Sequence, residues 1–384
     1  MKKKIIFFTG SRADYGLMRD IIINIQRKTK IKNNVIVSGS HLSKKFGYTI
    51  NEIILDKIKN IKSIQILQKK SDDINIANNF SLAVKKISNL LNVSKPSLLV
   101  LLGDRYEVLA AAVSAMICRI PIAHIHGGEV TEGAFDDAIR HSISKMSHIH
   151  FTTHIKHKKR LMQLGENPKK IFNFGGPGAS AIESMKLLKK IEIEKNIRIK
   201  LDKEYFLITF HPVTLEKDRA LKDFGELLKS LKGFTKVTQI FSFPNSDNEN
   251  DILIKVLKKY IRENKNAFYV KSLGQKKYLS LLKYSSGIIG NSSSGILEAP
   301  SFKIPTLNIG DRQKGRIQAK SILNCMPIKN EISKMIIKMF SKSFKKKISK
   351  TKNPFFKKNT IINISKELLK FKSENLKKQF FNIK

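Results

Sequence analysis

The chain has 384 residues, of which 41% are hydrophobic and 27% charged, which is typical of a globular protein rather than a disordered one. No apolar run approaches the roughly 20 residues of a membrane span, the first apolar segment is too short for a signal peptide, and two distant cysteines cannot form a disulfide framework, so we expect a reduced cytoplasmic protein that binds no membrane. The net charge of +42 comes mainly from lysines spread along the chain, whereas nucleic-acid readers depend on arginine and stacking aromatics, so we expect no specific nucleic-acid partner.

Short β-branched runs alternate with longer amphipathic stretches in the first half of the chain. Helical patterns such as 15–26 and 109–117 lie between them, and strands alternating with helices of this length indicate a parallel sheet. The predicted strands are 4–8, 34–38, 63–67, 97–102, 121–126 and 148–152.

A Lys/Glu-rich stretch without strands follows Gly178 and runs to about residue 202, after which the alternation restarts. We therefore predict an α/β protein with two Rossmann-type, doubly wound domains at 1–185 and 186–343. A basic helical tail, 344–384, either packs back on the N-terminal domain or frays. The predicted strands of the second half are 205–210, 237–243, 267–270, 287–289 and 305–309.

Polar residues follow the first strand, at the edge where parallel sheets bind ligands. Gly10 permits a tight turn, and a helix start with Arg12 beside it suits a phosphate group. An ordinary strand–helix turn would have the same residues. The segment is not a Walker A loop, because the Gly-Lys-Ser/Thr element is absent. It also lacks the Gly-x-Gly-x-x-Gly fingerprint, so we expect no nicotinamide cofactor.

Ionisable residues also follow the fourth and fifth strands and open the next helix. Seven of the nine histidines lie between His124 and His157, but without a zinc-binding spacing or a nearby cysteine, so we expect no metal. We favour an acid/base site over the alternative, a structural ion-pair network, because all the ionisable groups fall at one sheet edge. They are Asp104, Arg105, His124, His126, Glu129, Asp136, Asp137, Arg140 and His141.

The second half repeats this arrangement. His211 follows its first strand, Asn245 its second, and the run 290–294, with three serines, opens a helix after its fourth. Small residues and hydroxyls at a helix start favour anion binding. Glu298 is placed to accept hydrogen bonds from a ribose diol, and Arg312 adds a cation after the last strand.

Six segments of the chain together resemble the hydrolysing UDP-N-acetylglucosamine (UDP-GlcNAc) 2-epimerases of sialic acid biosynthesis. Each is a weak signal alone, but the set is specific and covers roughly residues 3–320. The segments are GSRADY at 10–15, GDR at 103–105, HGGE at 126–129, DDAIRH at 136–141, HPVT at 211–214 and GNSS at 290–293.

The resemblance implies a GT-B-like fold with an interdomain cleft, a homodimer or homotetramer, no cofactor, and conversion of UDP-GlcNAc to N-acetylmannosamine and UDP. It also implies roles for individual residues. Catalytic positions are Asp104, Asp136 and Arg140, with either His126 or Glu129 as a further acid/base group, because several relatives carry Glu where this chain has His126. Nucleotide or substrate contacts are Arg12, Arg105, His211, Asn245, Ser292, Ser293, Glu298 and Arg312.

Two alternatives stay open at this point. Some members of the family act on GDP-linked or diamino-sugar nucleotides that lead to legionaminic-type acids. A GT-B glycosyltransferase would use the same diphosphate cradle and pass the sugar to an acceptor, although the carboxylates Asp104, Glu129 and Asp136 argue against it.

Overall fold

The structure, a computed structural model, describes residues 3–28, 32–67, 73–132, 135–211, 219–242, 250–270, 273–372 and 376–383. The chain divides into two compact units. The first unit consists of Met1–Glu129, Asp136–Ala181 and Phe355–Lys384, and the second of Val130–Phe135 and Ile182–Pro354. Within the described ranges, no helix has both the length and the apolarity that a membrane crossing needs.

The first unit is built on a parallel sheet of seven strands. A run such as Leu98–Leu102 is apolar throughout because all five of its residues are buried. In chain order the strands are β1 (Lys4–Thr9), β2 (Lys32–Ser38), β3 (Ile61–Ile64), β4 (Leu98–Leu102), β5 (Ile122–Ile125), β6 (Ile149–Thr152) and β7 (Ile171–Asn173).

The second unit contains a parallel sheet of six strands. All five residues of its central strand Tyr205–Thr209 are buried, and the first four are hydrophobic. In chain order the strands are β8 (Tyr205–Thr209), β9 (Thr238–Ser242), β10 (Ala267–Val270), β11 (Gly287–Gly290), β12 (Thr306–Ile309) and β13 (Ile322–Cys325).

Helices separate most of these strands, because parallel neighbours need a crossover connection. Those in the described part of the chain are α1 (Arg12–Lys28), α2 (Ile50–Leu55), α3 (Asp73–Ser94), α4 (Tyr106–Ile117), α5 (Asp136–Met146), α6 (Ile155–Gln163), α7 (Pro177–Ser184), α8 (Lys190–Ile197), α9 (Arg219–Leu231), α10 (Asn250–Glu263), α11 (Gly274–Tyr284), α12 (Ser293–Leu297), α13 (Lys329–Phe340), α14 (Lys342–Ile348) and α15 (Thr360–Lys370).

Strand order places the candidate sites. The strand order of the first sheet is β3-β2-β1-β4-β5-β6-β7, so the chain adds strands towards one edge up to β3 and towards the other edge from β4 onward, with the switch between β1 and β4. The strand order of the second sheet is β10-β9-β8-β11-β12-β13, with the same kind of switch between β8 and β11. In doubly wound folds, ligands bind beyond the carboxyl ends of the strands at such a switch point. The residues that follow β1, β4, β8 and β11 therefore have priority in the search for a site.

The strand prediction is confirmed for the eleven runs named from the sequence, with one or both ends shifted in every run except β10. The third strand is displaced furthest, lying at Ile61–Ile64 instead of 63–67. The sequence does not predict β7 or β13, which have three and four residues. A run of three residues such as β7 carries too little periodicity to be distinguished from a loop.

The last part of the chain is shared between the two units. Residues up to Pro354, including α14, belong to the second unit, and the rest belongs to the first. Ile364 and Leu368 of α15 are fully buried in the core that also contains Met18 and Ile22 of α1. The final helix thus completes the core of the first unit.

Candidate active site

The switch point of the first sheet carries arginines and buried carboxylates. Arg12, the first residue of α1, is half-buried, and Asp14 in the same helical turn accepts a hydrogen bond from the Gly10 N–H at 3.3 Å. Arg105 donates from Nε to Oε2 of the fully buried Glu107 at 3.2 Å. Burial raises the pKa of Asp14 to about 6, although the charge of Arg105 opposes this.

Asp104 is held by a buried arginine. The Arg140 side chain is 1% exposed, and its Nη2 donates to Asp104 Oδ2. Its Nη1 donates to the Glu129 carbonyl oxygen at 3.1 Å and to Asp137 Oδ1 at 3.2 Å. Because the Asp104 side chain is 22% exposed, this carboxylate is oriented from the protein side and can meet a substrate on the other.

The start of α5 supplies two further carboxylates. Asp136, its first residue, is half-buried. Asp137 lies between Arg140 and His141, with its Oδ2 3.5 Å from His141 Nε2. Within its own helix, Arg140 also forms an ion pair with Asp137, three residues before it.

His126 and Glu129 form a hydrogen-bonded pair directly after β5. Their side chains are 8% and 5% exposed, and His126 Nδ1 lies 2.8 Å from Glu129 Oε1. Thr153, which follows β6, donates from Oγ1 to the same Glu129 oxygen at 2.9 Å and lies 2.8 Å from His157 Nδ1. The two groups that the sequence could not rank are therefore in direct contact.

The nearby His124 has a structural role. Its Nε2 lies 2.8 Å from the Gly103 carbonyl oxygen, and its Nδ1 lies 3.0 Å from Ser144 Oγ. Since a carbonyl only accepts, Nε2 carries the proton and Nδ1 accepts from the serine. Burial lowers the pKa of His124 to about 3, so this imidazole stays neutral.

Asn291 organises the switch point of the second sheet. Its amide nitrogen donates to the His211 carbonyl oxygen, and its Oδ1 accepts from the His211 N–H, both at 2.7 Å. Gly290 precedes it at a φ of +132°, and a Cβ there would lie 1.9 Å from the Thr209 carbonyl oxygen. Only glycine lets β8 and β11 approach this closely and bring His211 beside the serine-rich turn.

The serines after β11 open α12. Ser292 caps this helix, with its Oγ accepting from the Ser294 N–H at 3.3 Å, and Ser293 is half-buried at its first position. The Ser294 hydroxyl receives a hydrogen bond from Tyr278 at 2.7 Å and donates to a Glu298 carboxylate oxygen. Hydroxyls, helical N–H groups and one carboxylate thus lie within a few residues of each other.

Residues after β12 add to this group. Arg312 Nη1 and Gln313 Nε2 both donate to the Asn291 carbonyl oxygen, at 3.1 and 2.8 Å. The structure therefore brings Arg312 together with His211, Ser292, Ser293 and Glu298 in the second unit. The predicted Asn245, and residues 212–214 of the sequence motif, lie outside the described residues.

Three side chains of these arrangements are absent from the sequence-based candidates. Thr153 and His157 anchor Glu129, and Asn291 anchors His211. Thr153 could have been found by extending the search for polar strand ends to the sixth predicted strand. Within the described ranges, no group of three or more His, Cys, Asp or Glu side chains is arranged to hold a metal ion.

Comparison with known proteins identifies related sequences. Residues 23–369 match the family model described as UDP-N-acetylglucosamine 2-epimerase. A relative from Campylobacter jejuni, named GDP/UDP-N,N'-diacetylbacillosamine 2-epimerase (hydrolyzing), is 42% identical over 90% of this chain and 89% of its own length. The polysialic acid biosynthesis protein P7 of Escherichia coli is 37% identical over 99% of this chain and 98% of its own.

Solved structures extend the likeness to the fold. The UDP-GlcNAc 2-epimerase of Neisseria meningitidis, crystallised with UDP-GlcNAc, matches with a TM-score of 0.83 at 18% identity, covering 96% of this chain and 100% of that one. The predicted GT-B-like architecture with two Rossmann-type sheets is confirmed. The family expected from the six sequence segments is also the one whose model matches.

Proposed function

Because the chain belongs to the UDP-N-acetylglucosamine 2-epimerase family and is a hydrolysing 2-epimerase of nucleotide sugars, we propose that it converts UDP-GlcNAc to N-acetylmannosamine and UDP for sialic acid biosynthesis. The family match over residues 23–369 carries this proposal. The 37% identity to a polysialic acid biosynthesis protein over nearly the whole chain supports the choice of sugar, since N-acetylmannosamine is the hexosamine from which sialic acids are built.

The chemistry explains why the protein needs both anion-binding and acid/base groups. C2 of the sugar is not next to a carbonyl, so its proton is not acidic enough for direct removal. If the C1–O bond breaks first, positive charge develops on the ring and acidifies the C2–H bond. The protein must therefore stabilise a departing nucleoside diphosphate before it moves any proton.

We assign nucleotide binding to the second unit. Ser292, Ser293, His211 and Arg312 would contact the diphosphate, and the Glu298 carboxylate would accept from the ribose hydroxyls. The pair of hydrogen bonds between Asn291 and the His211 backbone supports this assignment, because it holds the loop after β8 against the loop after β11. Asn245 keeps its proposed role as a further nucleotide contact.

We assign the sugar chemistry to the first unit, where Arg12 and Arg105 would offset negative charge on the phosphates. Asp104, Asp136 and either His126 or Glu129 would transfer protons, and Arg140 would act through Asp104, since the guanidinium is buried and bound to that carboxylate. Loss of the C2 proton gives a glycal. Hydration then returns a proton to C2 from the opposite face and adds water at C1, so two acid/base groups are needed.

A second candidate substrate is a nucleotide-linked 2,4-diacetamido sugar, carried by either UDP or GDP. The relative of 42% identity is named for such a compound, and a Legionella pneumophila relative of 33% identity is named UDP-N,N'-diacetylbacillosamine 2-epimerase (hydrolyzing). The first reaction steps would be the same, because they involve only C1, C2 and the diphosphate. The difference lies in what contacts the substituent at C4.

Incubation with single nucleotide sugars in deuterated water tests the proposal. We expect UDP-GlcNAc, without any acceptor, to give UDP and N-acetylmannosamine carrying deuterium at C2, followed by mass spectrometry and NMR. Parallel reactions with GDP-GlcNAc and with the UDP-linked diacetamido sugar identify the base and the sugar. Release of sugar with its original C2 hydrogen would refute the proton-transfer mechanism, and a requirement for an acceptor would indicate a transferase.

We further propose a cytoplasmic homodimer or homotetramer. Both cysteines are free thiols, which is compatible with a reducing compartment. Light scattering coupled to size-exclusion chromatography would measure the mass of the assembly against the 43.7 kDa chain.

A further inference from the structure

His126 has an unusual backbone conformation for a residue with a side chain. Its φ is +69°, in the left-handed region, and its N–H donates to the Phe151 carbonyl oxygen of β6 at 3.0 Å. Residues with a Cβ rarely adopt this conformation, and they persist in it where the surrounding structure imposes it, often at functional sites. The turn places the imidazole at the end of β5 rather than continuing the strand.

The hydrogen bond to Glu129 fixes the tautomer of His126. A carboxylate oxygen only accepts, so Nδ1 carries the proton across the 2.8 Å contact, and Nε2 is the ring nitrogen whose lone pair can accept a proton. Nε2 is buried and has no hydrogen-bond partner within the described residues. Since buried nitrogens are almost always partnered, this atom is suited to meet a bound ligand.

The Glu129 carboxylate accepts hydrogen bonds from two side chains. Besides the His126 ring, its Oε1 receives the Thr153 hydroxyl at 2.9 Å, and its side chain is 5% exposed. Because the Thr153 proton goes to the carboxylate, its oxygen accepts from His157 Nδ1 at 2.8 Å. Burial lowers the pKa of His157 to about 4, so this ring donates as neutral imidazole. His157 therefore donates to Thr153, and Thr153 donates to Glu129.

Close contacts to α6 also fix the loop between His126 and Glu129. Gly128 has a φ of +77°, and a Cβ at this position would lie 2.4 Å from the His157 carbonyl oxygen. The Arg160 guanidinium donates to the Gly128 carbonyl oxygen at 2.6 Å. The loop is thus packed against the start of α6, which also supplies His157, and the carboxylate cannot swing away from the imidazole without disrupting these contacts.

We propose that His126 Nε2, and not the Glu129 carboxylate, is the base that takes the C2 proton, with Glu129, Thr153 and His157 as positioning residues. This inference rests on the proposed function. Once the C1–O electrons have left with the diphosphate, the C2–H bond breaks, its electron pair forms the C1=C2 bond of the glycal, and the proton goes to Nε2. Glu129 stabilises the resulting imidazolium, and a different group reprotonates C2 from the opposite face.

The assignment is tested with variants matched to the backbone. Asn tolerates the left-handed region and glycine is unstrained there, so His126→Asn and His126→Gly should both fold. We expect kcat to fall by about 10²–10⁴-fold in both, with KM little changed. Added imidazole should restore turnover to His126→Gly, and a series of substituted imidazoles should restore it in proportion to their basicity, which a merely structural filler would not do.

Glu129→Gln keeps an oxygen that can accept from both His126 and Thr153 but removes the charge. We expect a milder loss in kcat, about 10–100-fold, and a smaller one in Thr153→Val. His154→Asn, which keeps the cap of α6 on Lys156, is the control and should retain wild-type turnover.

The outcomes separate the two proposals. If the wild-type protein releases no 2-epimerised sugar from any nucleotide sugar, the proposed function fails. If it does, rescue of folded His126→Gly by imidazole together with a milder defect in Glu129→Gln supports the inference. Absence of rescue, or a loss in Glu129→Gln equal to that in His126→Asn, overturns it, with folding judged by circular dichroism and thermal melting.

Discussion

Two histidine–glutamate pairs in the first unit look alike and differ in what surrounds the carboxylate. In the edge pair, His126 meets Glu129 at 2.8 Å, and in the buried pair, His150 of β6 meets Glu166 at 3.0 Å. Thr153 donates a neutral hydroxyl to Glu129. Glu166 instead receives two ammonium groups, from Lys378 at 2.8 Å and Lys145 at 3.1 Å.

The ammonium groups change what the buried pair can do. Burial by itself would raise the pKa of Glu166, but the hydrogen bonds from His150 and Lys378 and the charge of Lys378 outweigh it and lower the pKa to about 2. Burial lowers the pKa of His150. Because two lysines already offset the charge of Glu166, this carboxylate stabilises an imidazolium on His150 only weakly. The buried pair instead anchors the segment around Lys378.

Asp104 forms a third carboxylate–cation pair, with Arg140, but its side chain is 22% exposed at the sheet edge. We expect Asp104→Asn to lose about 10²–10⁴-fold in kcat while still binding UDP, since we assign nucleotide binding to the second unit. Steady-state kinetics and calorimetric titration with UDP measure the two properties. Asp20→Asn, which breaks a surface pair with Arg19, is the control. Wild-type turnover in Asp104→Asn would remove this residue from the site.

The sequence predicts the sheet framework well, because buried parallel strands are continuous apolar runs. It does not predict strand order, which is set by packing between elements distant in sequence, and so it cannot say that β1 lies beside β4 or β8 beside β11. The sequence selects candidate site residues only where they follow predicted strands. Asp104, His126 and His211 were identified by that rule.

The partners of those residues could not be predicted. Glu129 and Thr153 are 24 positions apart, and nothing in either local pattern indicates that they touch. Glu166 and Lys378 are still more distant, and each looks like a surface charge in the sequence.

Glu166→Gln is expected to cost stability rather than turnover. Removing one charge of a buried, hydrogen-bonded cluster leaves the others uncompensated, and we expect the free energy of unfolding to fall by about 3 kcal/mol at pH 7 with kcat unchanged. Urea denaturation and steady-state kinetics on the same preparation measure both. A loss of turnover in folded Glu166→Gln, matching that of Glu129→Gln, would erase the distinction between the two pairs.

The pH dependence of this stability has a defined sign. Because the pKa of Glu166 is depressed from 4.5 to about 2 in the folded protein, its contribution is present above the unfolded value and is lost as the pH falls through the folded one. The difference in unfolding free energy between wild type and Glu166→Gln should therefore shrink between pH 4.5 and pH 2. A difference that stayed constant from pH 7 to pH 3 would contradict the assignment.

Lys378→Met should have the smallest effect, because Lys145 and His150 remain on Glu166 when this lysine is lost. We expect about 1–2 kcal/mol of destabilisation, since the Lys378 side chain is only 26% exposed, and no change in kcat.

The local consequence of Lys378→Met should exceed the global one. The Phe381 N–H donates to the Gly165 carbonyl oxygen at 2.8 Å, and the Phe380 ring packs on Gly165, so this segment lies against the first unit just beyond Lys378. Hydrogen exchange at Phe381 should accelerate in Lys378→Met but not in Lys366→Met, which replaces an exposed lysine of α15. Equal exchange in both would mean that the aromatic contacts alone hold the segment, and that the charges on Glu166 act only within the core.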